Sequence, residues 1–266
     1  MSIAPPPVAL TIAGSDCSSG AGIQADLKTF QHFGIHGLTA ITCIVSETAN
    51  IVRAVSPVPV DIVADQVSLM LDSFPVAAIK TGMLYSAAHI EAVVEILKAH
   101  PGIPLVVDPV MIASTGASLL EEDAIAAYHE RLLPLATVIT PNLPEAEALS
   151  GMSIPDRTQM ETVALALAGK FRTSVLLKGG HLDSEECLDL LMEPDGHWHA
   201  FAENRLQLPG SHGTGCTFSA AIAARLALGD DLPKSVEKAK AYLTETLRTS
   251  YTIDAIHALN QGTLGF

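Results

Sequence analysis

Short apolar runs that stop at a polar residue or a glycine recur along the chain, with amphipathic stretches between them. The runs cover residues 8–13, 38–45, 76–80, 105–108, 137–140 and 175–178. Their length and apolar content predict buried strands. Between them, Ile23, Leu27 and Phe30 have helical spacing, as do Ile90, Val93, Val94 and Leu97. Helices are also predicted over 61–71, 121–133, 161–171 and 234–249. A strand followed by a helix that returns to the same end of the sheet pairs in parallel with its neighbour. The alternation therefore predicts an α/β chain: one doubly wound, mostly parallel sheet with helices on both faces. With 266 residues and no repeat, low-complexity tract or linker, the chain reads as a single domain over 1–266. Glu193-Pro-Asp-Gly196 is a hairpin signal, and Pro57 and Pro59 read as punctuation in a connection.

The predicted strand ends carry Gly14, Glu47, Lys80, Asp108, Asn142 and Lys178. Open α/β sheets bind ligands beyond the carboxyl ends of their strands, so these residues outline a candidate site. Two glycine-rich loops frame it. The first, Gly14-Ser-Asp-Cys-Ser-Ser-Gly-Ala-Gly22, lacks the Gly-x-Gly-x-x-Gly spacing of a dinucleotide fold, which disfavours a nicotinamide enzyme. Asp26, on the helix that follows, reads as part of its polar, solvated side.

The second loop, Ser211-His-Gly-Thr-Gly-Cys-Thr217, leads into an Ala- and Leu-rich helical stretch from Phe218. Gly213 and Gly215 leave backbone N–H groups open to a ligand, and a helix start adds the positive end of its dipole. That is a predicted anion hole, with Cys216 at its mouth, where a helix start lowers a thiol pKa. Phosphoryl transfer uses such a cradle, a metal, a cation and a proton acceptor. Asp108, Asn142 and Glu145 offer oxygens for Mg²⁺, partly through water, and Lys178 offers a cation for nucleotide phosphate. Cys216, as thiolate, could take the proton of a substrate hydroxyl. Asn142 and Glu145, three residues apart, also fit a helix cap and its capping-box partner. Cys216 also fits a small buried residue without chemistry.

The formal charge of −14 disfavours nucleic acid and anionic membranes as partners. No apolar run reaches membrane-spanning length. The cysteines at 17, 43, 187 and 216 form no Cys-x-x-Cys pair, so neither a zinc cluster nor a disulfide framework is indicated. The N-terminal segment lacks the pattern of a signal peptide, which makes a cytoplasmic location the expectation.

Several stretches together carry a family resemblance. They are Leu10-Thr-Ile-Ala-Gly-Ser-Asp16, Gly20-Ala-Gly-Ile-Gln-Ala-Asp-Leu-Lys-Thr-Phe30, Asp108-Pro-Val-Met111, Thr140-Pro-Asn-Leu-Pro-Glu-Ala146, Leu177-Lys-Gly-Gly-His181 and His212-Gly-Thr-Gly-Cys-Thr217. In this order they resemble the hydroxymethylpyrimidine/phosphomethylpyrimidine kinases of thiamine biosynthesis, which belong to the ribokinase-like superfamily. The resemblance implies a ribokinase-like, three-layer αβα fold and a homodimer. It implies ATP- and Mg²⁺-dependent phosphorylation of 4-amino-5-hydroxymethyl-2-methylpyrimidine, and then of its monophosphate. It implies that Gly14, Asp26, Val45, Glu47, Met83 and Val110 line the pyrimidine pocket. Asp108, Asn142, Glu145, Lys178 and Thr214 would serve the metal and the nucleotide. Gly213, Gly215 and Cys216 would form the anion hole, with Cys216 where sugar-kinase relatives carry an aspartate base.

The chain departs from the family pattern at three places. Glu47 stands where these kinases usually have Gln. An amide offers a donor and an acceptor, whereas an ionised carboxylate only accepts. A carboxylate also suits a pyridinium nitrogen, so the alternative is a pyridoxine/pyridoxal kinase on the same fold. Ser114-Thr-Gly116 replaces a common Lys-Ser-Gly, which removes a phosphate partner and bears on the second phosphorylation. The ending Gln261-Gly-Thr-Leu-Gly-Phe266 lacks the family's His-rich close, and no function attaches to it. Asp108, Lys178 and Cys216 together argue against a non-catalytic binding protein on this scaffold.

Overall fold

The computed structural model describes residues 4–110, 122–180 and 185–262. β1 (Val8–Asp16) leads through α1 (Gly22–His32) to β2 (His36–Thr48), which folds back as β3 (Ile51–Pro57). α2 (Val60–Ser73) returns the chain to β4 (Val76–Thr81), and α3 (Ala87–Ala99) leads to β5 (Leu105–Val107). α4 (Glu122–Ala127) continues as a widened helical turn over Tyr128–Leu132 and a tightened one over Leu133–Leu135, before β6 (Val138–Ile139). α5 (Leu143–Ser150) and α6 (Arg157–Phe171) precede β7 (Ser174–Lys178) and the hairpin of β8 (Glu186–Met192) and β9 (Trp198–Asn204). α7 (Thr214–Ala227), α8 (Leu232–Arg248) and a small hairpin of β10 (Tyr251–Ile253) and β11 (Ile256–Ala258) follow.

Nine strands form one sheet in the order β3-β2-β1-β4-β5-β6-β7-β8-β9. Pairings from β2 across to β7 are parallel; β3, β8 and β9 join antiparallel at the two edges. The chain builds outward from β1 to β3, then crosses back to place β4 on the other side of β1. The strand order reverses there, and that reversal opens a crevice at the carboxyl ends.

Successive strand residues face opposite sides of the sheet. Leu10, Ile12 and Ile79 pack under α2, α3, α5 and α6, while Ala9, Ala78, Val106 and Val138 pack under α1, α7 and α8. The second face is small where α7 lies. Ala9 and Ala78 meet Ala220, Ala221, Ala223 and Ala224 of α7. Small side chains on both partners let the helix backbone sit close to the sheet, and every residue of α7 from Thr217 to Ala224 is buried. A helix buried all round has no free face to turn toward solvent. Its start is therefore fixed against the strand ends.

The predicted mostly parallel sheet with helices on both faces is present. Pro57 belongs to β3 rather than to a connection: it is the last residue of an edge strand, where a missing N–H breaks no inner ladder. α7 begins at Thr214, ahead of Phe218, because Gly213 at φ +81° turns the chain directly into the helix.

Candidate active site

The acceptor side of the crevice is built on bare backbone. Gly14 lies where the β1–β2 register skips a residue. A side chain there would meet Cys43 Sγ at 2.9 Å and Met83 Sδ at 3.8 Å, so the glycine lets β1 pack closely against β2 and the turn after β4. Thr42 Oγ1 donates to Met83 O at 2.6 Å and fixes that turn. Further along β2, Val45 is buried and Glu47 half-buried. The backbone of Glu47 is tied to Cys17: its N–H reaches Cys17 Sγ at 3.4 Å, and that thiol donates to Glu47 O at 3.2 Å. Gly14, Val45, Glu47 and Met83 thus sit at neighbouring strand ends, and half-buried Val110 follows β5 at the same end.

Burial pushes the Glu47 carboxyl up, the charge of Asp16 adds to the rise, and His212 opposes it. Asp16 and His212 were not among the expected site residues. Asp16 accepts hydrogen bonds from the N–H groups of Ser18, Gly20 and Ala21, and His212 Nε2 lies 3.0 Å from its Oδ2. This pair fastens the first glycine loop to the second. Burial works against ionised Asp16, but the His212 and Ser18 hydrogen bonds outweigh it and bring the carboxyl down to about 2. Both residues stand inside the quoted motifs, but nothing in their spacing pairs positions 16 and 212.

Asp26 needs a correction. It is fully buried, not on a solvated side of α1. Lys80 Nζ lies 2.8 and 3.0 Å from its two oxygens, and Thr11 donates to Oδ2 at 2.6 Å. Burial alone would lower the Lys80 pKa, but Asp26, Cys216 and Asp108 outweigh it and hold the ammonium above the usual lysine range. With its oxygens engaged in this way, Asp26 supports the floor of the crevice.

The anion side forms around the start of α7. A side chain at Gly213 would lie 1.9 Å from Gly20 O, so the two glycine loops touch through backbone alone. Gly215 and Cys216 fall in the first helical turn, whose N–H groups have no carbonyl one turn back. Thr214 Oγ1 donates to Ser211 O at 2.9 Å. Beneath Gly215 lies a pair of charges: Lys178 Nζ is 3.0 Å from Asp108 Oδ1. Thr140 donates to Asp108 at 2.9 Å, and Ser219 Oγ, whose one proton is also within reach of Gly215 O at 2.9 Å, lies 3.2 Å from Asp108 Oδ2. Burial disfavours the Asp108 charge, but Lys178 and Lys80 outweigh it and hold the carboxyl below its ordinary value. A methyl on Gly215 would reach to 3.3 Å from Lys178 Nζ and 3.5 Å from Asp108 Oδ2. The bare position is therefore the space above the pair.

Of the two readings of Asn142 and Glu145, the helix cap is formed. Asn142 Oδ1 accepts from Glu145 N at 2.8 Å, and Glu145 Oε2 accepts from Asn142 N at 2.8 Å. The expected low thiol pKa of Cys216 is not found. Burial pushes the thiol up to about 11; Lys80 pulls it down, but Asp26 and Asp108 add to the rise. Among the described residues no group of three or more His, Cys, Asp and Glu side chains gathers as a metal centre. Met111, Ser114 and His181 lie outside the described residues.

A cavity of about 400 Å³ opens from the charge pair toward α8. Lys178, Thr214 and Gly215 line one part, and Leu208, Leu243 and Leu247 another. A polar end and an apolar end suit a nucleotide's phosphates and base. Sequence spacing could not reveal this wall, because Leu208 and the α8 pair Leu243 and Leu247 are far from Lys178 along the chain and carry no motif.

A mostly parallel α/β sheet, a glycine-led helix start at its carboxyl ends and an Asp–Lys pair beneath that start fit a small-molecule kinase of ribokinase-like fold. The family model described as phosphomethylpyrimidine kinase matches residues 16–260. The hydroxymethylpyrimidine/phosphomethylpyrimidine kinase of Haemophilus influenzae is 43% identical over 251 residues, covering 93% of each chain. The solved phosphomethylpyrimidine kinase of Clostridium difficile 630 superposes with a TM-score of 0.80 at 39% identity, covering 90% of this chain and 98% of the other. An ADP complex of Bacillus subtilis pyridoxal kinase gives a TM-score of 0.88 at 35% identity, covering 96% and 97%. The chain belongs to the phosphomethylpyrimidine kinase family.

Lys80→Met would leave Asp26 buried without its counter-charge. The expected cost is ~3–5 kcal/mol, read by denaturant titration. Combining it with Asp26→Leu should recover part of the loss. An unchanged midpoint for Lys80→Met would show that the pair carries no structural weight.

Proposed function

We propose that the chain transfers the γ-phosphoryl group of ATP to the hydroxymethyl group of 4-amino-5-hydroxymethyl-2-methylpyrimidine, and then to the resulting monophosphate, in thiamine diphosphate biosynthesis. One observation carries the reading: the bare Gly215 position above the Asp108–Lys178 pair, at the mouth of a two-ended cavity. Lys178 meets nucleotide phosphate there, and the N–H groups of Gly215 and Cys216 face the charge that spreads over the phosphoryl oxygens during transfer. Asp108 and Glu145, with Asn142 beside them, would hold Mg²⁺ partly through water, and the ion would supply further charge neutralisation. The ring lies at the strand ends beside Gly14, against Val45, Met83 and Val110.

Glu47 answers to one of the departures noted above. The half-buried Glu47 binds its proton more readily than a solvated carboxyl. Protonated, it offers one donor and one acceptor, as the usual Gln does. The same carboxylate favours a second reading, a pyridoxine or pyridoxal kinase, which the likeness to pyridoxal kinases also supports. Cys216 is a thiol near neutrality, so its part as proton acceptor grows with pH. A loose phosphoryl-transfer transition state places little demand on a base until late.

The reading extends to the setting. The whole of 1–266 is taken as one domain in the cytoplasm, and among the described residues no helix is long and apolar enough to cross a membrane. A second copy is the proposed cover for the apolar side chains exposed along the β2–β3 arm, Ile44 and Ile51.

A coupled ADP-release assay with Mg·ATP should show turnover of the pyrimidine and its monophosphate, measured beside pyridoxine. Silence with both pyrimidines sinks the main reading, and turnover of pyridoxine alone selects the second. Glu47→Gln should shift the ratio of kcat/KM toward the pyrimidine; an unmoved ratio would place residue 47 away from the ring. Toward about pH 11, where the thiol ionises, Cys216→Ala should cut turnover by roughly 10²-fold, the scale of a lost general base, and by less near neutrality. The parent's rate should rise from neutral pH toward about 11, where its thiol ionises, and that rise should vanish in the variant. Near-normal turnover of Cys216→Ala at that pH removes the thiol from the mechanism.

A further inference from the structure

Gln261, the first residue of the ending to which the sequence attaches no function, lies against the two glycine loops. Gln261 is 2% exposed. Its backbone carbonyl accepts from Tyr242 of α8 at 2.7 Å. Its side-chain Nε2 lies 2.9 Å from Gly20 O and 2.9 Å from Thr217 Oγ1. Gly20 belongs to the first glycine loop, and Thr217 to the first turns of α7. The amide therefore bridges the two walls whose backbones already touch at Gly20 and Gly213.

The orientation of this amide is forced. Gly20 O is a carbonyl and only accepts. Thr217 Oγ1 spends its one proton on Gly213 O at 2.8 Å, so toward Gln261 it too can only accept. Two acceptors converge on one point and require a group with two N–H donors. Gln supplies both, and Glu of the same shape supplies none while ionised. Gly213 O is reached through this same chain of bonds, from Gln261 to Thr217 to Gly213.

We propose that Gln261 is a positioning residue for phosphoryl transfer: its side-chain amide fixes the separation between the Gly20 loop and the Gly213 helix start, and so the aim of the anion hole. The inference rests on the anion-hole reading above. Gln261 touches neither nucleotide nor acceptor, so it acts through Gly213 and Gly20. Misplacing an oriented donor array lowers the rate of transfer more than it lowers affinity for the remote parts of a substrate.

The test measures steady-state turnover and thermal unfolding of full-length Gln261→Ala and Gln261→Glu beside the parent, with Mg·ATP and the hydroxymethylpyrimidine. Gln261→Ala should lose about tenfold in kcat with KM for Mg·ATP changed less than about twofold. Gln261→Glu should be as slow at about pH 8 and recover several-fold relative to the parent toward about pH 6, because a buried carboxyl there regains a proton to donate. A merely structural amide would not give a variant whose kcat ratio to the parent climbs as pH falls. The proposal is overturned if Gln261→Ala keeps kcat within twofold, if the Glu ratio is flat with pH, or if both variants fail to fold. A parent without turnover would instead overturn the kinase reading, which separates the two failures.

Discussion

The active site depends on a contact that no side chain can share. At Gly20 and Gly213 two chain segments meet through main-chain atoms, with a carbonyl oxygen where any Cβ on residue 213 would have to be. That closeness brings the first glycine loop against the helix start, which in the proposed reading faces the phosphoryl group. Phosphoryl transfer needs its two reactants nearly in line and in reach of each other, so the distance between these walls is a catalytic quantity. Three features hold it: the alanine face that seats α7 close to the sheet, the Asp16–His212 pair, and the amide of Gln261.

The charges beneath the site follow a second constraint. The chain carries a net charge of −14, yet the crevice must receive the phosphates of a nucleotide. Two lysines near the crevice are each held by a carboxylate: the fully buried Lys80 by Asp26 and the partly exposed Lys178 by Asp108. Pairing cancels most of the desolvation penalty and fixes each ammonium in place. The same low-dielectric floor raises the Cys216 thiol, against the usual pull of a helix start. Local burial and two nearby carboxylates outweigh the helix dipole.

Much of this was legible in the sequence for a simple reason. A buried parallel strand is an apolar run, and the polar residue that ends it stands at the sheet edge where ligands bind. Glu47, Asp108, Asn142 and Lys178 stand at such ends, whereas Lys80 is fully buried against Asp26. The glycine motif at 213–216 could be read because a side chain is excluded there. What stayed hidden were partners distant along the chain. Asp26 looked solvated because Lys80, which buries its charge, lies 54 positions away. Gln261 pairs with Gly20 across 241 positions, with no local pattern at either end. The apolar wall of the nucleotide cavity lies far from Lys178 along the chain, and β3 was masked by the proline that ends it.

The central claim is that the open space above the Asp108–Lys178 pair is where phosphate sits. Gly215→Ala tests it most directly. Gly215 lies in the first turn of α7 and is not among the glycines with positive φ, so Ala is compatible with the backbone and suits a helix better. Its methyl enters the space at 3.3 Å from Lys178 Nζ. The account predicts a protein with an unfolding temperature equal to or above the parent's, and ADP release with the pyrimidine lowered by about tenfold or more. A stable Gly215→Ala protein with undiminished turnover would contradict it.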